Sequence, residues 1–299
     1  MLTCDEYLTP ASLAEAFAAM AQHRGKHRIV AGATDTYPWA REGRAGDVHV
    51  PVLIDVSKIP ELNERTVGEK NVRLGAATAI QRFLDDAALG RAMPCMSRCA
   101  IWFADDQIRA QATIGGNIVN ASPAADATPC LIAHNAKVEL VSTKGKRAML
   151  LTEFITGPNK TQLAEGELVT AIECDALAGY GGSFEKVGHR RSLVISLVCL
   201  ATLIKLDHDG RRIEDVRLSI AGIGPKPLRL TDIEKFLRGA ALSEDKLEKA
   251  ADMPVDLVAS RTRQAYRRDV VRGFMLRGLI NAAQRAGADV APELEAAYA

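Results

Sequence analysis

The run from Thr113-Ile114-Gly115-Gly116-Asn117 to Asp126 constrains this chain more than any other stretch. Two adjacent glycines separate an apolar approach from a series of small residues that ends in a carboxylate. Adjacent glycines admit positive φ angles and let a second backbone or a ligand come close with no Cβ between them. N–H groups turned inward on such a loop form a concave anion site suited to a phosphate. Asn117, Asn120 and Ser122 add short donors and acceptors. Asp126 is acceptor-only when ionised and suits a sugar or polyol hydroxyl, or the cap of a helix that begins at Ala127-Thr128. Taken alone, two adjacent glycines are more often a plain tight turn between core elements. A second stretch, Ile29-Val30-Ala31-Gly32-Ala33-Thr34-Asp35-Thr36, repeats the order of apolar strand, glycine, hydroxyl and carboxylate. Two such turns can cradle the two phosphates of one dinucleotide from both sides.

Spacing rules out the commoner nucleotide sites. A Rossmann turn needs G-x-G-x-x-G between a strand and a helix, and neither turn has it. Gly222-Ile223-Gly224 runs into Pro225 instead. Gly179-Tyr180-Gly181-Gly182 lacks the Lys-Ser/Thr of a phosphate loop and reads as a linker. The six cysteines stand at 4, 95, 99, 130, 174 and 199, with no C-x4-C-x2-C run for an iron–sulfur cluster. They read as buried reduced thiols, and no metal is implied. No nucleophile–base–acid triad or carboxylate pair stands out, so no catalytic residue is assigned.

The rest of the chain predicts two units. In the first, a helix opens at Thr9-Pro10 and carries Leu13, Phe17 and Met20. The strand Arg28 to Ala31, a short helix from Tyr37 to Arg41 and the strand Pro51 to Val56 follow. Next come a strand at Val72 to Ala76, a helix capped by Thr78, and a buried helix from Met93 to Ala104. Then a helix at Thr128 to His134, a hairpin of Lys137 to Ser142 with Lys146 to Leu150, and a strand at Glu167 to Cys174 complete it. In the second unit, strands at Ser183 to Val187, Leu193 to Leu206 and Ile213 to Ile223 precede helices capped by Thr231 and Ser243. A long helix over Ala259 to Ala286 closes it. A length of 299 residues suits two domains, and the net charge of +1 gives no case for nucleic acid or an anionic membrane. No apolar run approaches the roughly 20 residues of a membrane span. Met1 to Glu6 lacks the basic and apolar regions of a signal peptide, and the chain reads as cytoplasmic.

Ala31-Gly32-Ala33-Thr34-Asp35 and Thr113-Ile114-Gly115-Gly116-Asn117 resemble the two pyrophosphate motifs of the FAD-binding subunit of molybdenum hydroxylases, the family of xanthine dehydrogenase and the carbon monoxide dehydrogenase medium subunit. Gln107-Ile108-Arg109, Phe184-Glu185-Lys186, Ile223-Gly224-Pro225 with Arg229, and Ala265-Tyr266-Arg267-Arg268 extend the resemblance over nearly the whole chain. It implies an α+β fold: a two-lobed PCMH-type FAD-binding domain over 1–176, divided near 57, then a smaller domain over 181–287 with a three-stranded antiparallel sheet packed with helices. It implies non-covalent FAD. Ile29 to Thr36 and Thr113 to Asn117 would hold the pyrophosphate by backbone N–H groups, and Asp126 would accept from ribityl or ribose hydroxyls. Val169 matches an apolar ring contact. Phe103 matches an aromatic against the flavin, though it reads equally as a core residue. Lys186 matches a lysine near the flavin, although alone it reads as a solvated strand residue.

The resemblance also implies partners: a small [2Fe–2S] subunit and a large molybdopterin subunit, which hold the other redox centres. The outside acceptor is left open among NAD, oxygen and a carrier protein. Two alternatives stand beside this reading. One is a self-sufficient flavin-dependent reductase or oxidase of the same fold. The other is a flavin-free scaffold subunit, suggested by Ala33 where many relatives carry a second glycine.

Overall fold

The computed structural model describes residues 1–44, 46–190, 193–260 and 262–288. Arg261, inside the expected last helix, lies outside them. The chain begins with a parallel three-stranded sheet in which Val52–Asp55 runs between Glu6–Leu8 and His27–Val30. Parallel strands need crossovers: the helix Leu13–Gln22 links the two outer strands, and Thr36–Arg41 lies in the crossover from His27–Val30 to its neighbour Val52–Asp55. That helix starts later than Thr9-Pro10 suggests. Ser12 accepts from the Glu15 N–H, and the Glu15 carboxylate accepts in turn from the Ala11 N–H at 2.8 Å. This reciprocal cap fixes the start.

The second lobe is a five-stranded antiparallel sheet. Leu168–Asp175 is central, flanked by Asn71–Gly75 and Lys137–Ser142, with Arg65–Val67 and Gly145–Leu150 at the edges. Thr78 caps nothing, because the short helix Arg82–Asp85 follows Gln81. The helix Pro94–Trp102 is buried at Cys95, Met96, Cys99 and Ala100. It emerges at Ile101 and Trp102, so the buried helix expected over this stretch is exposed at its far end.

The last sheet has four strands rather than three. Gly181–Val187, Val198–Leu206 and Ile213–Ala221 are joined by the short Leu228–Arg229, which two residues of pairing made invisible to pattern. This sheet is covered on both faces. Cys199, Ala201 and Leu203 join the core of the preceding lobes, while Val198, Leu200 and Ile204 pack against the helical side. The near-continuous apolar run Val198 to Ile204 is the signature of such a strand. The helices Thr231–Leu237, Glu244–Asp252 and Gln264–Arg285 cover the outer face.

The expected linker at Gly179–Gly182 is therefore half strand. A Cβ on Gly181 would collide with the Ala282 carbonyl of the last helix, and one on Gly182 would lie 2.6 Å from the Cys95 nitrogen. These glycines let helices approach the strand from opposite sides. Gly182→Ala is expected to destabilise the chain by about 1–3 kcal/mol, the usual range for overpacking. An unchanged melting temperature would contradict this packing.

Candidate functional site

The first glycine turn leaves the carboxyl end of His27–Val30, where open α/β sheets place their ligand crevice. Ala33 adopts the left-handed conformation, φ 52, and the chain returns to right-handed helix at Asp35 and Thr36–Arg41. Alternating handedness turns successive N–H groups to one side and forms an anion-binding nest. Among the described residues, the N–H groups of Ala31, Gly32, Ala33, Thr34 and Asp35 have no protein partner. Ala33 thus accepts the backbone strain that a glycine would avoid, on the order of 1–2 kcal/mol.

The second motif is the start of a helix and not a turn. Thr113 caps Ile114–Asn120, its hydroxyl accepting from the Gly116 N–H at 3.1 Å. Neither glycine has a positive φ; the left-handed residue is Ala121, at the helix end. Gly115 is there for contact, because a Cβ would lie 2.7 Å from both the Cβ and the carbonyl oxygen of Ala76. The N–H donors expected from this motif are largely engaged. Ile114 donates to Thr78, Gly115 to Ala76 and Asn117 to Thr113. That leaves the Thr113 N–H, the Gly116 N–H, held only by a hydroxyl, and the Asn117 side chain, whose Oδ1 is buried without a partner among the described residues.

The two motifs meet backbone to backbone. A Cβ on Gly32 would collide with the Gln111 carbonyl and lie 3.2 Å from the Ala112 Cα. Asn120 ties the same elements, donating from Nδ2 to the Asp35 carboxylate at 2.8 Å, and Asn159 donates to the Asn120 main-chain carbonyl at 2.9 Å. Burial raises the Asp35 carboxyl above its ordinary range, opposed by the Asn120 amide. On one side of the contact lies a cavity of about 140 Å³, lined by Ile29, Val30, Ala31, Thr113, Gly115, Gly116 and Val169 among others. On the other side a more open cleft of about 440 Å³ is lined by Gly32, Thr34, Tyr37, Arg41, Ile108 and Gln111.

The remaining candidates form a second group. Asp126 stands before the helix Ala127–Ala133 but makes no cap, so that alternative is removed. Its Oδ2 accepts from Lys186 Nζ at 2.5 Å and its Oδ1 from the Ser196 hydroxyl at 2.5 Å. Lys186 also donates to the Trp102 carbonyl at 3.2 Å. The Lys186 side chain is only 5% exposed and that of Asp126 10%, so Lys186 is not the solvated residue its type suggests. Burial pushes the Asp126 carboxyl up, while the Lys186 ammonium and the Ser196 hydroxyl pull it down. Phe103 is buried just after Trp102, and its carbonyl accepts from Arg109 at 3.1 Å. Gln81 and Asp106 hold the same guanidinium, which gives the Gln107-Ile108-Arg109 stretch a structural task. Phe103, Asp126 and Lys186 line neither the cavity that contains Val169 nor the open cleft. The sequence reading missed Ser196 and Asn159. Only the hydroxyl inside an otherwise apolar run signals the first, and nothing local signals the second.

Unpaired N–H groups, an orphaned buried carbonyl, an apolar slot and a carboxylate–lysine pair together suit a flavin dinucleotide. Residues 3–174 match the family described as the FAD binding domain in molybdopterin dehydrogenase, and residues 183–282 match the CO dehydrogenase flavoprotein C-terminal domain. The chain belongs to this family. The glyceraldehyde dehydrogenase medium chain of Sulfolobus acidocaldarius is 34% identical over 227 residues, 74% of this chain and 79% of that one. The xanthine dehydrogenase FAD-binding subunit of Escherichia coli O157:H7 is 30% identical over 260 residues, 86% and 87% of the two chains. The fold superposes on a chain of the carbon monoxide dehydrogenase of Hydrogenophaga pseudoflava with a TM-score of 0.87 at 26% identity, covering 95% of this chain and 99% of that one. This family member is an oxidoreductase subunit whose cofactor is FAD.

The two glycines of the second motif separate by experiment. Gly115→Ala, aimed at Ala76 backbone, is expected to lower the melting temperature, whereas Gly116→Ala meets only the Thr113 hydroxyl at 2.9 Å and keeps the fold. Equal melting of both variants would remove the packing role of Gly115. Ala33→Gly is expected to stabilise the chain by about 1 kcal/mol, as release from the left-handed region allows. A lower denaturant midpoint would contradict the strain at Ala33.

Proposed function

We propose that this chain is the electron-transfer subunit of a molybdenum hydroxylase complex, receiving electrons from [2Fe–2S] clusters on a small partner subunit. A large molybdopterin subunit carries the organic chemistry, and an outside acceptor takes the electrons from this chain. The single observation that carries the reading is the backbone contact of Gly32 with Gln111 and Ala112, with five unpaired N–H groups beside it. That arrangement offers several N–H donors side by side to the phosphates of one dinucleotide.

In this reading Ala31 to Asp35 and Gly116 hold the pyrophosphate, replacing bulk water with fixed donors. Asn117 and Asp126 take hydroxyl donors from the sugar and ribityl parts, Val169 packs against one ring, and Phe103 against the flavin. Bound FAD supplies the step between one-electron clusters and a two-electron acceptor. The ammonium of Lys186 is paired with the Asp126 carboxylate, so the two present a buried dipole to the cofactor rather than a net positive charge. Ala33 holds a nest-forming conformation, which weakens the case for a flavin-free scaffold. For docking, Trp102, whose carbonyl accepts from Lys186, is 46% exposed, and Ile195, next to Ser196, is 79% exposed. Uncharged side chains there give a partner something to bury near the flavin.

Neither glycine motif contains a histidine or cysteine for a flavin linkage. Acid precipitation of the purified chain is therefore expected to leave yellow FAD in the supernatant. The chain with FAD alone is expected to exchange electrons with artificial dyes and to hydroxylate no heterocycle or aldehyde. Pull-down from the native source should bring a small iron–sulfur chain and a large molybdenum chain. Turnover of an organic substrate by the lone chain, at the rate of the native preparation, would replace this reading with the self-sufficient flavoenzyme.

A further inference from the structure

We propose that Ser196 is a positioning residue of the flavin site, its hydroxyl holding the Asp126 carboxylate in the one orientation that serves the cofactor. The inference rests on the flavin reading above and adds to it a residue that none of the motifs contains. Asp126 comes from the end of the second glycine motif, and Ser196 from the segment entering the strand Val198–Leu206 of the last sheet. Seventy residues separate them, yet the hydroxyl donates to Oδ1 at 2.5 Å, and Ser196 is 5% exposed.

The geometry divides the work on the carboxylate. Lys186 occupies Oδ2 and Ser196 occupies Oδ1, so rotation about the Asp126 side chain would break a charge-assisted bond on either side. The ammonium alone fixes one oxygen and leaves the other free to swing. The segment itself is anchored next door, since Leu197 donates its N–H to the Val187 carbonyl at 2.8 Å. Lys186 and Ser196 therefore reach Asp126 from the same sheet, one from the end of each of two neighbouring strands. A carboxylate pinned at both oxygens presents its remaining lone pairs in a fixed direction toward a ribityl or ribose hydroxyl. Without Ser196, Oδ1 is buried with no donor, which favours the protonated acid. Burial already raises Asp126, the Lys186 ammonium and the Ser196 hydroxyl lower it, and its own charge helps raise the buried thiols of Cys99 and Cys199. Affinity that depends on the ionised carboxylate is present above its pKa and lost as pH falls through it. Removing the hydroxyl moves that loss to higher pH.

The test is FAD titration of the cofactor-stripped full chain, followed by flavin fluorescence from pH 9 to pH 5. Ser196→Ala is expected to weaken binding roughly tenfold at pH 8, the lower end for a hydrogen bond to a charged group, and to begin its acid loss at higher pH than the unmodified chain. Ser196→Cys, close in size and a poor donor, is expected to do the same and guards against a fold defect in the alanine variant. In an Asp126→Asn background, Ser196→Ala is expected to have little further effect, since the two act as one unit. Unmodified binding and pH profile in Ser196→Ala and Ser196→Cys, or an equal loss in the Asp126→Asn background, overturns the positioning role alone. An unmodified chain that takes up no FAD overturns the flavin reading and this proposal with it.

Discussion

The buried bond between Lys186 and Asp126 is the interaction on which the site depends, because it joins residues from the two halves of the chain. Charges removed from water are costly, and a pair repays that cost only with close geometry and its remaining polar atoms satisfied. Here the Ser196 hydroxyl and the Trp102 carbonyl complete the pair. Truncating one partner of such a pair costs about 3–5 kcal/mol, more than either surface ion pair or single apolar contact would return. The last sheet therefore lies where it does for two reasons: Cys199, Ala201 and Leu203 bury against the first unit, and the Lys186 ammonium reaches across to its carboxylate.

Around that bond, small residues set distances. Gly32 and Gly115 each mark a place where backbones touch, at Gln111 and at Ala76, and Gly181 and Gly182 do the same for the helices on either side of the last sheet. These four glycines act as contact residues, and the one left-handed position in the first motif is held by Ala33. Its strain persists because neighbours on both sides are fixed: the strand His27–Val30 before it and the helix Thr36–Arg41 after it.

Much of this was legible in the sequence. The hairpin of Lys137–Ser142 with Gly145–Leu150 lies within a residue of expectation, whereas the strand expected from Leu193 begins only at Val198. Capping chemistry misled where two signals competed. Thr9-Pro10 is a good start signal, and the reciprocal pair of Ser12 and Glu15 outweighs it. A two-residue strand at Leu228–Arg229 has no pattern to read. For the site, residue types pointed to anion binding in the right stretches but not to which N–H groups are free. That depends on partners such as Thr78 and Ala76, thirty-odd residues distant in sequence. The isolation of Lys186 from solvent was equally hidden, since a lysine in a strand looks the same whether its partner is water or Asp126.

The central claim is that a cation and a carboxylate from opposite halves of the chain complete one flavin site. FAD titration of Lys186→Gln tests it most directly, with the melting temperature measured on the same samples. The account predicts that Asp126, buried and stripped of its counter-charge, weakens FAD binding by at least tenfold and lowers the melting temperature together. Unchanged FAD affinity with unchanged melting would contradict it.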